Sequence, residues 1–367
     1  MISSDKHVPY LDGWRGLAIL AVYFGHFYGH GKYWWVGVFG VHLFFVLSGY
    51  LMCNILFIKK TALSDFFVSR CVRVYPTFLL FIAGLLVYSA TLQPDPFLPS
   101  FAEISSTVSF LRTYLPYGMA ISNEHWAIAH LWSLNVEEHS YVFLALIALL
   151  TRRAQTPWLA GVMLATATIG AWAIGNWYFS YPPSGASHFS VRTEVASLGL
   201  LCGATVRYIR YHAPLRIYSM IPFWLPLASI AIAYWCFVSY QYKGLHITLA
   251  PILLACAINF MDRVPGVVTA ILSNAVLRWF GTCSFSLYLW QQPLHALTIE
   301  YGSNAFLMSA LAISIGAMSF YAFENPVRKK LNTAWRNRCS SKNLTSSTSS
   351  VVVQGSAGAG LIRLIED

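Results

Sequence analysis

Of 367 residues, 57% are hydrophobic and only 10% are charged, and the mean hydropathy is +0.55. These values exclude an ordinary soluble globular protein. They leave room for about ten membrane spans of roughly 20 residues with their connections, and no large soluble domain.

The N-terminal segment is short and polar. The first apolar run lacks an Ala-x-Ala-like exit, so it is expected to remain as a span. Ten spans are predicted in chain order, over 13–30, 36–58, 75–92, 134–151, 157–177, 193–211, 219–238, 245–262, 280–300 and 303–323. The fold class is therefore an all-α integral membrane protein. The fourth span has Glu137 and Glu138 at its start, and 104–133 reads as an interfacial helix and loop that feeds it. The 13 Trp and 21 Tyr suit membrane–water interfaces. With both termini in the cytoplasm, twelve Lys and Arg fall in cytoplasmic segments before the tail and four in the opposite loops, as the positive-inside rule requires. The net charge of +10 is thereby assigned to topology and contact with anionic lipid, and no nucleic-acid partner is invoked. Residues 1–332 read as one transmembrane domain. Residues 333–367 read as a disordered cytoplasmic tail, Ser/Gly-rich beyond Arg338. The seven cysteines include no Cys-x-x-Cys pair and lie mostly in apolar runs; packing explains them, and no disulfide or metal site is expected.

The stretch GWRGLAILAVYFGH, residues 13–26, places Arg15 and His26 eleven residues apart. In a helix that is about 1100°, some 20° past three turns, with both side chains on one face about 16.5 Å apart. Spacing alone leaves two readings open. Arg15 would snorkel to phosphate headgroups while His26 bonds a neighbouring helix, or both would face a functional cavity. In VGVFGVHLFFVLSGYLM, His42 is placed near the outer surface, and Ser48-Gly49 marks a close-packing point in mid-membrane. RCVRVYP, residues 70–76, is read as lying just before the third span. There Arg70 and Arg73 are either positive-inside charge or a phosphate clamp suited to the planar guanidinium. In HLWSLNVEEHSY, residues 130–141, His130, Glu137 and Tyr141 share one helical face, which points to a binding or catalytic pocket without fixing its chemistry.

YLDGWRGLAILAVYFGH, GVHLFFVLSGYL, RCVRVYP, HLWSLNVEEHSY, CSFSLYLWQQPL and YAFENPVRK follow one another over residues 10–329. In that order they resemble the acyltransferase-3 family of integral membrane acyltransferases. The resemblance implies transfer of an acyl group, most often acetyl, from cytoplasmic acetyl-CoA to a hydroxyl of a carbohydrate or glycolipid acceptor, in a bacterial inner membrane. It places the family's Arg-x10-His motif on Arg15 and His26, its Trp-Ser-Leu-x-x-Glu motif on Trp132, Ser133, Leu134 and Glu137, and its basic pair on Arg70 and Arg73. On this reading His26 is the general base, helped by Glu137 as orienter of the imidazole or binder of acceptor hydroxyls. Arg15, Arg70 and Arg73 hold the donor, while His130, Trp132, Ser133, Tyr141 and His42 line the acceptor side. The chain departs from the family pattern at His42, where an acid is common, at Trp290-Gln291, where Trp-His is usual, and at Ser140-Tyr141, where Phe-Tyr follows the glutamates. The second departure argues against a catalytic role at 291. No segment reads as an appended extracytoplasmic hydrolase-like domain. That compact layout also resembles the nodulation-factor O-acetyltransferases of rhizobia, which act on lipo-chitooligosaccharides; O-antigen and exopolysaccharide are the other acceptors considered. Two rival readings are a polytopic transporter of a glycolipid or acyl-linked anion with His26 as proton relay, and an inactive scaffold for glycan assembly. No internal repeat favours the transporter.

Overall fold

The computed structural model describes residues 8–29, 31–91, 98–114, 127–182, 189–239 and 244–339. Among them all regular structure is helical. In chain order the helices are α1 (Pro9–Tyr23), α2 (Trp35–Cys53), α3 (Leu63–Thr91), α4 (Phe101–Val108), α5 (Trp132–Ala154), α6 (Pro157–Ser180), α7 (Thr193–Ala196), α8 (Leu198–His212), α9 (Leu215–Ser219), α10 (Leu225–Val238), α11 (Leu245–Thr248), α12 (Ala250–Asn259), α13 (Gly266–Leu272), α14 (Ala275–Tyr301) and α15 (Ala305–Ser319). Proline opens α1 at a position whose N–H has no helical partner in any case. The ends of α1, α2 and α15 each loosen into a π-turn, at Phe24–Tyr28, Asn54–Ile58 and Phe320–Glu324.

Among the described residues five helices are long and apolar enough to cross a membrane, Trp35–Ile58, Leu63–Thr91, Ala129–Ala154, Trp158–Ser180 and Ala305–Cys339. A sixth is added if α13 and α14, bent by 51°, count as one span. Ten were expected. The difference lies in shorter helices such as Leu225–Val238 and Leu245–Asn259, and in α1, whose 15 residues include Asp12 and Arg15.

Two boundaries depart from the sequence reading in ways that matter. The third helix starts at Leu63 rather than near 75 and runs straight through Pro76. Pro76 lies inside this helix, and within a membrane helix bundle the lost backbone bond is tolerated. Arg70 and Arg73 therefore sit on a helix and share a face. At the other end, helix continues from Ala305 to Cys339, well into the stretch expected as tail; 340–367 lie outside the described residues. Of the segment expected as an interfacial helix and loop, Phe101–Val108 is helical, capped reciprocally by Ser100 and Glu103, and 115–126 lie outside the described residues.

Backbone approach at small residues sets the packing, as expected where lipid supplies no hydrophobic drive between helices. A Cβ on Gly16 would lie 2.0 Å from the Leu277 carbonyl oxygen, and one on Gly281 would lie 1.9 Å from that of Asp12. These contacts lock α1 against α14, and the bonds Arg15–Ser284, Tyr23–Leu287 and His26–Gln291, ascending together in both helices, show the two running in the same direction. In the same way Gly49 and Gly203 bring α2 against α8, with their Cβ positions 1.9 Å from Leu200 O and 2.3 Å from Val46 O. The sequence reading of Gly49 as a close-packing point is met. A main apolar core, including Ile19, Val22, Leu47 and Leu200, joins these helices. A second cluster, with Phe78, Phe81, Leu131 and Leu289, joins α3, α5 and α14.

Candidate active site

Where α1, α2, α3, α5 and α14 meet, they enclose a cavity of about 410 Å³. Six of the predicted site residues line it: Arg15, Arg70, Arg73, Ser133, Glu137 and Tyr141. With Arg328 added, four arginines face one carboxylate, Glu137. Such a chamber suits an anion with more than one phosphate.

Arg15, Arg70 and Glu137 are each positioned by a neighbour. Arg15 Nη2 donates to Ser284 Oγ at 3.0 Å. The Arg70 guanidinium lies 4.0 Å from the Tyr141 ring centroid, a cation–π contact in a partly desolvated setting. Both oxygens of Glu137 are engaged, Oε1 accepting from Ser48 Oγ at 2.8 Å and Oε2 from Tyr141 Oη at 3.0 Å. At one wall the Tyr288 hydroxyl donates to the His130 carbonyl at 2.7 Å, and Ser133 Oγ is 2.6 Å from the same hydroxyl.

Beyond that wall sits His26. It does not line the arginine cavity; its Nδ1 is 2.7 Å from Gln291 Oε1, and its ring stacks on His295 with centroids 4.8 Å apart at 19°. An amide oxygen only accepts, and Gln291 Nε2 is turned toward Gln292 Oε1, so Nδ1 carries the proton and Nε2 the lone pair. The orienter of the imidazole is thus Gln291, whereas the sequence reading had offered Glu137 for that task and set 291 aside.

Ser284, Tyr288, Gln291 and His295 are spaced 4, 3 and 4 residues apart along α14, one continuous stripe on its face. Arg15 and His26 meet this stripe at Ser284 and Gln291, and between them Tyr23 Oη donates to Leu287 O at 3.1 Å. The common face inferred from the eleven-residue spacing is turned toward α14.

Compared with known proteins, residues 8–323 match the model of the acyltransferase domain. The chain belongs to the acyltransferase-3 family. It is 27% identical, over 89% of its length, to the peptidoglycan O-acetyltransferase OatA of Listeria monocytogenes. It is 24% identical over 88% of its length to YrhL of Bacillus subtilis, provisionally named a peptidoglycan O-acetyltransferase, and 24% identical over 89% to a Staphylococcus aureus protein provisionally named an O-acetyltransferase. The chain spans 56%, 55% and 58% of those relatives. No solved structure matches it.

The remaining predicted residues of this acyltransferase-3 protein lie off the cavity. His130 is buried behind the Ser133–Tyr288 wall, its ring 5.1 Å from that of Tyr288 and within electrostatic reach of His26 and His295. Trp132 packs edge-on to Phe45 at 5.7 Å. His42 is not at a wet outer mouth; it is buried, with ring contacts to Phe45 and Phe237. Its place in an apolar run hid this, since hydropathy gives depth along the axis but not which neighbour covers the side chain. Among the described residues no group of three or more His, Cys, Asp or Glu is placed to hold a metal, and none of the seven cysteines is in a disulfide. Sequence reasoning missed Ser284, Tyr288, Gln291 and Arg328. The 4-3-4 polar stripe within CSFSLYLWQQPLH was the available signal for three of them.

Proposed function

We propose that this acyltransferase-3 protein is a membrane O-acetyltransferase moving acetyl from acetyl-CoA to a carbohydrate hydroxyl. The observation that carries the reading is the shared stripe of α14. It runs from an arginine-lined cavity at Ser284 to a histidine held through its Nδ1 at Gln291. Phosphates of the donor sit among Arg15, Arg70 and Arg73, and Glu137 braces that set through Tyr141. The thioester arm passes Ser133 and Tyr288 toward His26. There the acceptor hydroxyl attacks the carbonyl carbon as His26 Nε2 takes its proton. The C–O bond forms, the C–S bond breaks, and the proton passes to the leaving sulfur. General-base help of this kind is worth about 10²–10⁴ in rate. His130 and Trp132 stand beside the acceptor path.

In this reading the chain makes ten crossings of a bacterial inner membrane, with both termini cytoplasmic. The parallel run of α1 and α14 fits the even offset between the first and ninth spans. The acceptor is a cell-envelope glycan or glycolipid. Two of the relatives are named for peptidoglycan, and it joins lipo-chitooligosaccharide, O-antigen and exopolysaccharide as the acceptors to be offered.

The test is release of free CoA from acetyl-CoA by membranes carrying the chain, with each acceptor in turn, beside His26→Ala at matched expression. Acceptor-dependent release that falls at least a hundredfold in the variant supports the reading, and mass spectrometry of the acetylated product names the acceptor. Equal release from both proteins removes His26 as base. Donor or glycolipid transport without CoA release replaces acyl transfer by the carrier reading.

A further inference from the structure

The motif YAFENPVRK has no role in the mechanism above, yet it delivers the fourth arginine of the cavity. Arg328 lines the chamber beside Arg15, Arg70 and Arg73. Its neighbour Glu324 is held firmly, 2% exposed and accepting from Ser286 Oγ at 2.6 Å. Arg328 itself is held loosely, with Nη1 3.6 Å from Glu324 Oε1 and Nη2 3.4 Å from Asn325 Oδ1, and its side chain is 29% exposed. A guanidinium with two long contacts, leaning on an anchored carboxylate, gains from a stronger partner on its open edge.

Position says which part of a ligand that partner is. Contacts along α14 and α15 run in opposite senses, Gly316 meeting Leu287 and Tyr321 meeting Trp279. The path from Glu324 to Arg328 therefore leads away from Gln291 and His26, by about 6 Å at 1.5 Å per residue. Arg328 therefore lies on the side of the cavity that faces away from the proposed base. The helix bearing it is tied to the start of α3 by Trp335 Nε1 donating to Asp65 Oδ1 at 2.9 Å, and α3 carries Arg70 and Arg73 one to three turns further on. The helix of Arg328 is thus fastened to the wall that carries Arg70 and Arg73.

Resting on the acyl-CoA reading, we infer that Arg328, backed by Glu324, is a donor-specificity residue that binds the 3′-phosphate of the CoA nucleotide. In an acyl-CoA the nucleotide is the part most distant from the thioester, and the 3′-phosphomonoester is its most highly charged single group. Arg328 thereby separates a CoA-borne acyl group from one carried on a pantetheine thioester without that phosphate.

The experiment measures the binding of CoA and of 3′-dephospho-CoA to the purified full chain in detergent, by calorimetry, for the wild type, Arg328→Ala and Arg328→Lys. The wild type is expected to prefer CoA by about ten- to a hundredfold, the range for a charge-assisted phosphate contact. Arg328→Ala should bring the preference to within about threefold by weakening CoA alone, and Arg328→Lys should restore part of it. The same loss of affinity for both ligands in Arg328→Ala, or an undiminished preference, overturns the inference while leaving the acetyl-CoA reading intact. No CoA binding by the wild type overturns both.

Discussion

Replacing Gly281 by Ala tests whether the α1–α14 contact sets the geometry of the site. Its Cβ would sit 1.9 Å from the Asp12 carbonyl oxygen and 3.2 Å from the Gly16 nitrogen. An ordinary carbon–oxygen contact needs about 3.3 Å, so the helices must part by more than about 1 Å. The bonds that cross this contact, 3.0 Å at Arg15–Ser284 and 2.7 Å at His26–Gln291, would then stretch to or past the limit of about 3.6 Å for a hydrogen bond. A misplacement of about 1 Å costs on the order of 10² in rate, or about 2.7 kcal/mol at 1.36 kcal/mol per decade. Overpacking should also lower stability by about 1–3 kcal/mol. The assay is acceptor-dependent CoA release by membranes at matched protein level, with thermal unfolding in detergent to separate lost geometry from lost protein. Gly170→Ala on α6 is the control, because its Cβ meets nothing within 4 Å; it should retain activity and gain up to about 1 kcal/mol of helix preference. Activity of Gly281→Ala within about threefold of wild type would refute the argument that close approach of these two helices sets the site.

Two further outcomes follow from the same contacts. Gln291→Leu removes the acceptor at 2.7 Å from His26 Nδ1 and should lower kcat about ten- to a hundredfold; because 291 lies outside the arginine cavity, KM for acetyl-CoA should stay within about twofold, and initial-rate kinetics showing the reverse split would contradict the orienting role. Arg70→Lys keeps the charge but loses the planar stack on Tyr141; calorimetry should show CoA affinity down about tenfold, and an unchanged Kd would remove Arg70 from donor binding.

Helical periodicity was enough to place Arg15 and His26 on one face, and that face is the one turned to α14. Periodicity likewise put Glu137 and Tyr141 together, and their side chains are bonded. Hydropathy set the start of the third span near 75, since Asp65, Arg70 and Arg73 interrupt the apolar run ahead of it, whereas the helix begins at Leu63 and passes through Pro76. That error left Arg70 and Arg73 ahead of the span instead of on a wall of the cavity. Gln291 was set aside because the family usually has Trp-His where Trp290-Gln291 stands. Its side-chain oxygen bonds His26 Nδ1, and the sequence separation of 265 between partners kept that contact out of local pattern. Arg328 was visible as part of a motif but had no task until Glu324 and the cavity wall were placed around it.

The bonds that join α1 to α14 also set a schedule for the chain's own synthesis. Arg15 and His26 are made 269 and 265 residues before Ser284 and Gln291. At about 5–20 residues per second, the first helix waits on the order of 13–54 s before either partner leaves the ribosome. During that interval its arginine and histidine must be sheltered by water, headgroups or the insertion machinery. A nascent chain stopped anywhere before residue 284 therefore has most of its described helices and neither cross-link, so the site comes into being only once Gln291 has been made.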